Sequence, residues 1–149
     1  MADDVWQVAV FTLTMAVVAT LVMLPPGIMF AWLFARHRFH GCTALETLVM
    51  LPLVIPPVAT GLILLRLFGR RGLFGRVTES VGLEIIFTWK AVILAMAVMG
   101  LPLLVRAARG AFEQVDRRYE RIAASLGAGP LRIFFTVSLP MAGRGVLAG

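Results

Sequence analysis

The side chains that could bind a partner or do chemistry are concentrated between residues 106 and 132, where acids and bases alternate along the chain. Glu113 and Arg117, four residues apart, are spaced for an ion pair on a helix. Such a pattern is suited to electrostatic contacts with a partner protein. Catalysis or proton-driven transport is poorly supported, because no acid lies in the core of an apolar run and neither His37 nor His40 has a carboxylate nearby in the sequence.

A second stretch, GRRGLFG at residues 69–75, has the glycines and arginines of a phosphate-binding loop. It lacks the spacing of such a loop, and no Gly-Lys-Ser/Thr follows, so we expect the chain to bind no nucleotide. Cys42 is the single cysteine, which leaves no cysteine-rich metal site. We therefore expect no catalytic residues, no metal and no cofactor bound by this chain.

The composition indicates a membrane protein. Of the 149 residues, 60% are hydrophobic and 15% are charged, whereas a soluble domain has about 25% charged residues. The net charge of +6 comes from arginines in short segments between apolar runs, which is typical of membrane loops rather than of a nucleic-acid surface. We predict an all-α, polytopic helical bundle in contact with lipid, and no nucleic-acid partner.

Three apolar runs are long enough for a bilayer, which takes roughly 20 helical residues. They predict transmembrane helices over about 8–35, 46–67 and 85–106. Proline and glycine break the regularity of the second run, and in lipid the freed backbone groups need a neighbouring helix or a wet cavity. These residues are candidates for a substrate pathway, or for a kink that serves packing alone: Pro52, Pro56, Pro57 and Gly61.

The distribution of arginine and lysine predicts the orientation of the chain. With the amino terminus outside, nine basic residues face the cytoplasm and five face the periplasm. The positive-inside rule then places the segment of about 110–140 in the cytoplasm.

That segment predicts a helical hairpin. Ala111 to Leu126 has the pattern of one amphipathic helix, Gly127 is suited to end it, and Pro130 is suited to begin a second helix. The apolar stripe of the first helix consists of Phe112, Val115, Tyr119, Ile122, Ala123 and Leu126, and one face of the second consists of Leu131, Phe134, Phe135 and Ser138. The hairpin could dock onto a partner through its small residues, or lie on the membrane or on its own bundle.

The stretch from Glu120 to Pro140 resembles the EAA loop of bacterial binding-protein-dependent ABC importers. That pattern is Glu-Ala-Ala, three residues, Gly, nine residues, Ile, one residue and Leu-Pro. Gly127 and Leu139 fit the spacing, with Val137 in place of Ile. The first part departs, because Arg121, Ile122 and Ala123 occupy the Glu-Ala-Ala positions and the acid comes one residue early.

In that family this loop couples the membrane subunit to an ATPase subunit. The resemblance implies coupling roles for Glu120, Arg121, Ala123, Ala124, Gly127, Gly129, Leu139 and Pro140. Because Glu120 is out of the family register, we expect it to make only an exposed charge contact of about 1 kcal/mol or less.

Over its whole length the chain is similar to the molybdate permease family, through "LPLVIPPVATGLILL", "GRRGLFG" and "AVMGLPLLVRAARGAFEQVD". The resemblance implies a homodimeric, multi-pass permease in the bacterial inner membrane. Its partners would be ATP-binding subunits, which use the ATP, and a periplasmic molybdate-binding protein. Tungstate and sulfate permeases share much of this sequence, so those oxyanions are alternatives.

The family continues through at least two more membrane helices after the loop, whereas this sequence ends at Gly149. We therefore expect either a fragment or a shortened product. A membrane scaffold that does not transport is the alternative from another functional class.

Overall fold

The structure, a computed structural model, describes residues 2–37, 40–69, 72, 74 and 88–147. These residues form helices and short connections and contain no β-strand, which confirms the all-α prediction. In chain order the helices are α1 (Ala2–Arg36), α2 (Cys42–Val54), α3 (Pro57–Phe68), α4 (Trp89–Gln114), α5 (Arg117–Ser125), α6 (Pro130–Ile133), a π-helical segment (Phe134–Ser138) and α7 (Leu139–Leu147).

Two of these helices are long and apolar enough to cross a membrane. They are α1 and α4, which contain the first predicted span and most of the third. The predicted third span begins at residue 85, and its first three residues lie outside the described part of the chain. The helix α4 continues past the predicted end of that span, to Gln114.

The second predicted span is a bent pair of helices, α2 and α3, whose axes differ in direction by 117°. Neither has the roughly 20 residues that a straight crossing requires. The break follows from two consecutive prolines. Pro56 adopts an extended backbone with ψ of 141°, as expected before another proline, and Pro57 starts α3 where its missing N–H costs nothing.

The described chain divides into two compact units. The first unit consists of residues 1–24 and 49–102. Its helices approach closely at Gly100, where an added Cβ would lie 3.0 Å from the sulfur of Met23. It also contains an apolar pocket of about 690 Å³, in which Gly61 and Trp89 are among the lining residues.

The second unit consists of residues 25–48 and 103–149. Its core contains Phe112 and Val105, both fully buried, and a small residue at Ala108 that is also inaccessible to solvent. The ring of Phe134 lies 5.2 Å from that of Trp32 and 6.2 Å from that of Phe112, measured between centroids. These aromatic contacts connect α1 and α4 to the segment that follows α6.

The single helix predicted over Ala111 to Leu126 is wrong, because α4 and α5 are separated at Val115 and Asp116. The Asp116 carboxylate accepts a hydrogen bond from the backbone N–H of Arg118 at 2.8 Å and so caps α5. The apolar stripe is divided accordingly. Phe112 and Val115 are buried in the core, whereas the stripe residues of α5 are exposed or half-buried.

The predicted ion pair between Glu113 and Arg117 is also wrong. Glu113 accepts instead from Nε of Arg109 at 2.8 Å, and Arg109 also pairs with Glu46 of α2. Arg117 donates to the backbone carbonyl of Ala35. The break at Asp116 interrupts the helical geometry that the i, i+4 spacing presumes.

Candidate functional site

The candidate site is the hairpin, which we define as residues 117–133: α5, the turn at 126–129 and α6. Its turn is a complete Schellman motif. The N–H of Ala128 donates to the carbonyl of Ala123 at 3.1 Å, and the N–H of Gly127 donates to that of Ala124 at 2.9 Å. Gly127 has φ of +82°, a backbone conformation that residues with a Cβ rarely adopt, so its predicted place at the end of the helix is confirmed.

The second glycine of the turn is under no such constraint. Gly129 has φ of −71° and ψ of 163°, an extended conformation open to any residue, and an added Cβ would meet nothing within 4 Å. Pro130 occupies the first turn of α6, as predicted. The reversal of the chain therefore depends on glycine at position 127, whereas position 129 could accept a side chain without strain or clash.

Glu120 is directed into the second unit, so the prediction that it is an exposed contact is wrong. Its Oε1 accepts from Nε of Arg36 at 2.8 Å and from the hydroxyl of Ser138 at 2.6 Å. Only 16% of its side chain is exposed, and only 6% of that of Arg36. Glu120, which lies one residue earlier than the acid of the family pattern, thus connects the end of α1 to the π-helical segment.

Two arginines connect the end of α1 with the break before α5, in a reciprocal arrangement. Nη2 of Arg36 donates to the carbonyl of Val115, and Nη2 of Arg117 donates to the carbonyl of Ala35, each at 2.9 Å. Carbonyls at a helix end lack partners within the helix and attract positive charge. Each guanidinium therefore stabilises the end of the opposite helix.

The outer face of the hairpin is apolar. Leu126, the residue at the turn, is 83% exposed, and Tyr119 and Ile122 of α5 are about half exposed at helical spacing from it. Leu131 and Phe135 continue the exposed apolar surface beyond the turn. A soluble protein rarely leaves this many large apolar groups on so short a segment unless something covers them.

The predicted common face of Leu131, Phe134, Phe135 and Ser138 is wrong, because these residues divide into an inner and an outer pair. Phe134 packs in the aromatic cluster and Ser138 is fully buried. The π-helical segment lies directly before α7, in which Pro140 has no N–H and its ring would clash with a carbonyl one α-helical turn earlier. A wider turn relieves that clash, and the N–H of Leu139 donates to the carbonyl of Phe134.

The other predicted coupling residues differ in exposure. Arg121 and Ala124 are exposed, whereas Ala123 is partly covered. The predicted pathway residues lie in the first unit, where Pro56 and Pro57 form the break between α2 and α3, Pro52 lies inside α2, and Gly61 lines the apolar pocket.

The sequence did not reveal the positioning roles of three residues: Arg36, Arg117 and Ser138. Arg36 follows the first apolar run, and its partner Glu120 lies 84 residues away in the sequence. Ser138 is a small polar residue inside an apolar run, and that is the one signal that pointed to a buried hydrogen bond. Within the described ranges, no group of three His, Cys, Asp or Glu side chains could hold a metal ion.

Comparison with known proteins identifies the family. Residues 24–149 match the family described as "Binding-protein-dependent transport system inner membrane component". The whole chain is 44% identical to the molybdenum transport system permease protein ModB of Escherichia coli K12, of which it covers 66%. Over 93% of its length it is 43% identical to the ModB protein of Haemophilus influenzae, of which it covers 61%.

The similarity extends to a sulfate permease. Over 99% of its length the chain is 35% identical to a probable sulfate transport system permease protein of Helicosporidium, of which it covers 56%. The chain thus spans less than two thirds of the length of each of these relatives. The resemblance to the molybdate permease family that the sequence suggested is confirmed.

The family description and the apolar helices together place the chain in the inner membrane as a multi-pass protein, as predicted. Its relatives are permease proteins rather than enzymes. The chain therefore belongs to the family of binding-protein-dependent transport system inner membrane components.

Proposed function

We propose that the chain is part of the membrane-spanning permease subunit of an ATP-driven molybdate importer. The observation that carries this proposal is the identity with proteins named molybdenum transport system permease, which extends along the full chain. The ATP would be hydrolysed by a separate subunit, and a periplasmic molybdate-binding protein would deliver the oxyanion. Two copies of the permease would form the pathway.

The hairpin is the proposed contact with the ATP-binding subunit. Its outer face presents Tyr119, Ile122 and Leu126 at helical spacing, and the turn fixes the angle at which the chain leaves α5. A few well-packed anchor residues, tyrosine prominent among them, carry most of the binding energy at protein interfaces. A groove on the ATPase subunit that accepts a short amphipathic helix would cover this face.

Movement of the hairpin would be passed on to the second unit through polar contacts. Glu120 joins the hairpin to Arg36 and Ser138, and Arg117 joins it to the end of α1. These contacts are short and partly buried, so the hairpin would move with the end of α1 rather than independently of it. Rigid-body rocking of packed helices is a common way to alternate between two openings.

The substrate pathway is proposed at the break between α2 and α3. Pro56 and Pro57 have no N–H to donate to the carbonyls one turn earlier, and such carbonyls are tolerated at membrane depth where protein or water satisfies them. Pro52 and Gly61 flank the break on either side. Unpaired backbone at mid-membrane is a recurrent feature of transport sites.

A second candidate substrate is sulfate, favoured by the similarity to the Helicosporidium protein. Molybdate, tungstate and sulfate are all tetrahedral dianions, so a permease pathway that accepts one has little chemical basis for rejecting another. In this proposal the binding protein would make the selection.

Uptake of labelled molybdate tests the proposed function. The complete native reading frame that contains this sequence would be expressed in bacteria lacking their own molybdate permease. The ATPase and binding-protein genes of the source organism would be supplied with it. We expect uptake that requires all three components and that survives a large excess of sulfate. Uptake abolished by equimolar sulfate would favour the sulfate alternative, and no uptake of either ion would favour the scaffold.

A further inference from the structure

A second feature of the hairpin lies on a different face of α5 from its apolar surface. There the second unit contains an open pocket of about 430 Å³. Its polar lining consists of Trp32, Arg36 and His37 at the end of α1 and Arg117, Glu120 and Arg121 of α5, and α6 contributes an apolar wall. The volume falls within the range of about 300–1,000 Å³ that is typical of small-molecule sites.

The charge of this pocket is positive. Three guanidinium groups face one carboxylate, an excess of two positive charges among the described lining residues before His37 is considered. Placing three guanidinium groups around one opening costs electrostatic repulsion, which a bound anion would relieve.

Much of the hydrogen-bonding capacity of these arginines is unused. A guanidinium has five N–H groups. Arg36 uses two of its nitrogens, on Glu120 and Val115, and Arg117 uses one, on Ala35. Over residues 2–37, 40–69 and 88–147, the guanidinium group of Arg121 forms no hydrogen bond or ion pair, and only the backbone carbonyl of this residue accepts a side-chain hydrogen bond, from Ser125. The pocket therefore offers donors to a ligand without breaking a contact that holds the unit together.

One lining residue of the pocket, Trp32, also carries an unpaired donor that is buried behind the pocket surface. The indole Nε1 of Trp32 is buried and has no acceptor within the described part of the chain. Leaving a buried N–H unpaired costs about 1–3 kcal/mol, and buried donors in folded proteins are nearly always satisfied. Because this indole nitrogen is buried, the guanidinium groups of the lining arginines are the donors that an oxygen-rich ligand in the pocket would meet first.

We propose that this pocket binds a phosphoryl group, either the phosphate of an anionic phospholipid headgroup or free inorganic phosphate. Guanidinium groups bind phosphate oxygens in pairs of parallel hydrogen bonds, which suits Arg117 and Arg121 at i, i+4 spacing. Bound there, the phosphoryl group would bridge α5 and the end of α1 beside the Arg36–Glu120 pair. Docking of the ATPase subunit on the apolar face of the hairpin would not require a bound phosphoryl group, so the docking face and the pocket can be tested separately.

The test compares two arginines of α5 that differ in position alone. Arg121→Gln removes a lining charge, and Arg118→Gln is the matched control, because Arg118 is exposed on the same helix and is not among the lining residues. Both residues are exposed, so neither change disturbs the core. The purified full-length subunit would be probed with inorganic phosphate, by calorimetry against chloride at equal ionic strength. It would also be probed in nanodiscs of phosphatidylglycerol or phosphatidylcholine, by native mass spectrometry of retained lipid.

We expect Arg121→Gln to weaken the binding of one of these probes by about tenfold, as for loss of one charge-assisted hydrogen bond, and Arg118→Gln to change it less than twofold. Retention of phosphatidylglycerol without a phosphate response identifies a lipid headgroup, and a phosphate response identifies the free ion. Equal effects of the two variants, or binding of neither probe by the unmodified protein, would overturn the proposal.

Discussion

Nε of Arg36 lies 2.8 Å from Oε1 of Glu120, so a guanidinium at the end of α1 and a carboxylate of the hairpin form an ion pair across 84 residues of sequence. Both side chains are largely withdrawn from solvent. Such a pair is costly to break from one side only, because the remaining charge keeps its burial and loses its partner. The position of the hairpin in the second unit therefore depends on both residues.

We predict that Glu120→Ala lowers the free energy of unfolding of the detergent-solubilised subunit by about 3 kcal/mol. The matched control is Glu113→Ala, which removes a half-exposed carboxylate paired with Arg109 and should cost about 1 kcal/mol or less. Chemical denaturation followed by fluorescence would measure both. Equal losses for the two variants would show that the Arg36–Glu120 pair contributes no more to the free energy of unfolding than the exposed Arg109–Glu113 pair does.

The two glycines of the turn should respond differently to the same change. Gly127→Ala places a Cβ on a backbone with φ of +82°, which costs about 1–2 kcal/mol, whereas Gly129→Ala introduces no strain at an extended position with open space around it. We expect a lower unfolding temperature and weaker retention of the ATPase subunit for Gly127→Ala alone. Equal behaviour of the two variants, at equal membrane insertion, would contradict a turn fixed by Gly127.

Replacement of Leu126 should separate docking from folding. Leu126 is 83% exposed, so Leu126→Ser removes little packing within the subunit and should change the unfolding temperature by no more than a surface substitution does. If the ATPase covers this side chain, co-purification of the ATPase should fall at least tenfold, as for an interface anchor. Unchanged co-purification would exclude Leu126 from the contact.

The orientation in the membrane can be tested by cysteine labelling in a Cys42→Ser background. Ser125 is a suitable site because it is exposed on the hairpin, whereas Ala111, also in the predicted cytoplasmic segment, is only 7% exposed. With the amino terminus outside, an impermeant maleimide should label Ala2→Cys in intact cells and should reach Ser125→Cys only after lysis. The reverse result would invert the proposed topology.

Composition and run length predicted the fold class and the apolar helices, because in lipid the number of consecutive apolar residues is itself the main structural constraint. Gly127 and Pro130 were predictable for a different reason, because the preference of glycine for helix ends and of proline for helix starts acts locally. The bend of 117° between α2 and α3 follows from Pro56 and Pro57, but its size depends on packing that the prolines do not set.

The burial of Glu120 could not be predicted, because it depends on contacts with Arg36 and Ser138 that only the folded chain brings together. The break before α5 was within reach of sequence reasoning. Asp116 is a good helix-capping residue, and an uninterrupted amphipathic pattern concealed it.

The π-helical segment at Phe134–Ser138 also restricts how the gene can vary in length. In an α-helix each inserted or deleted residue rotates everything beyond it by about 100°. One deletion between Gly127 and Phe134 would move Phe134 away from Trp32 and Ser138 away from Glu120, although all four of these side chains were retained. Substitutions along this stretch are individually tolerable where the side chain is exposed. A change in the number of residues between Gly127 and Leu139 would disturb both contacts, so the stretch depends on its spacing as well as on its side chains.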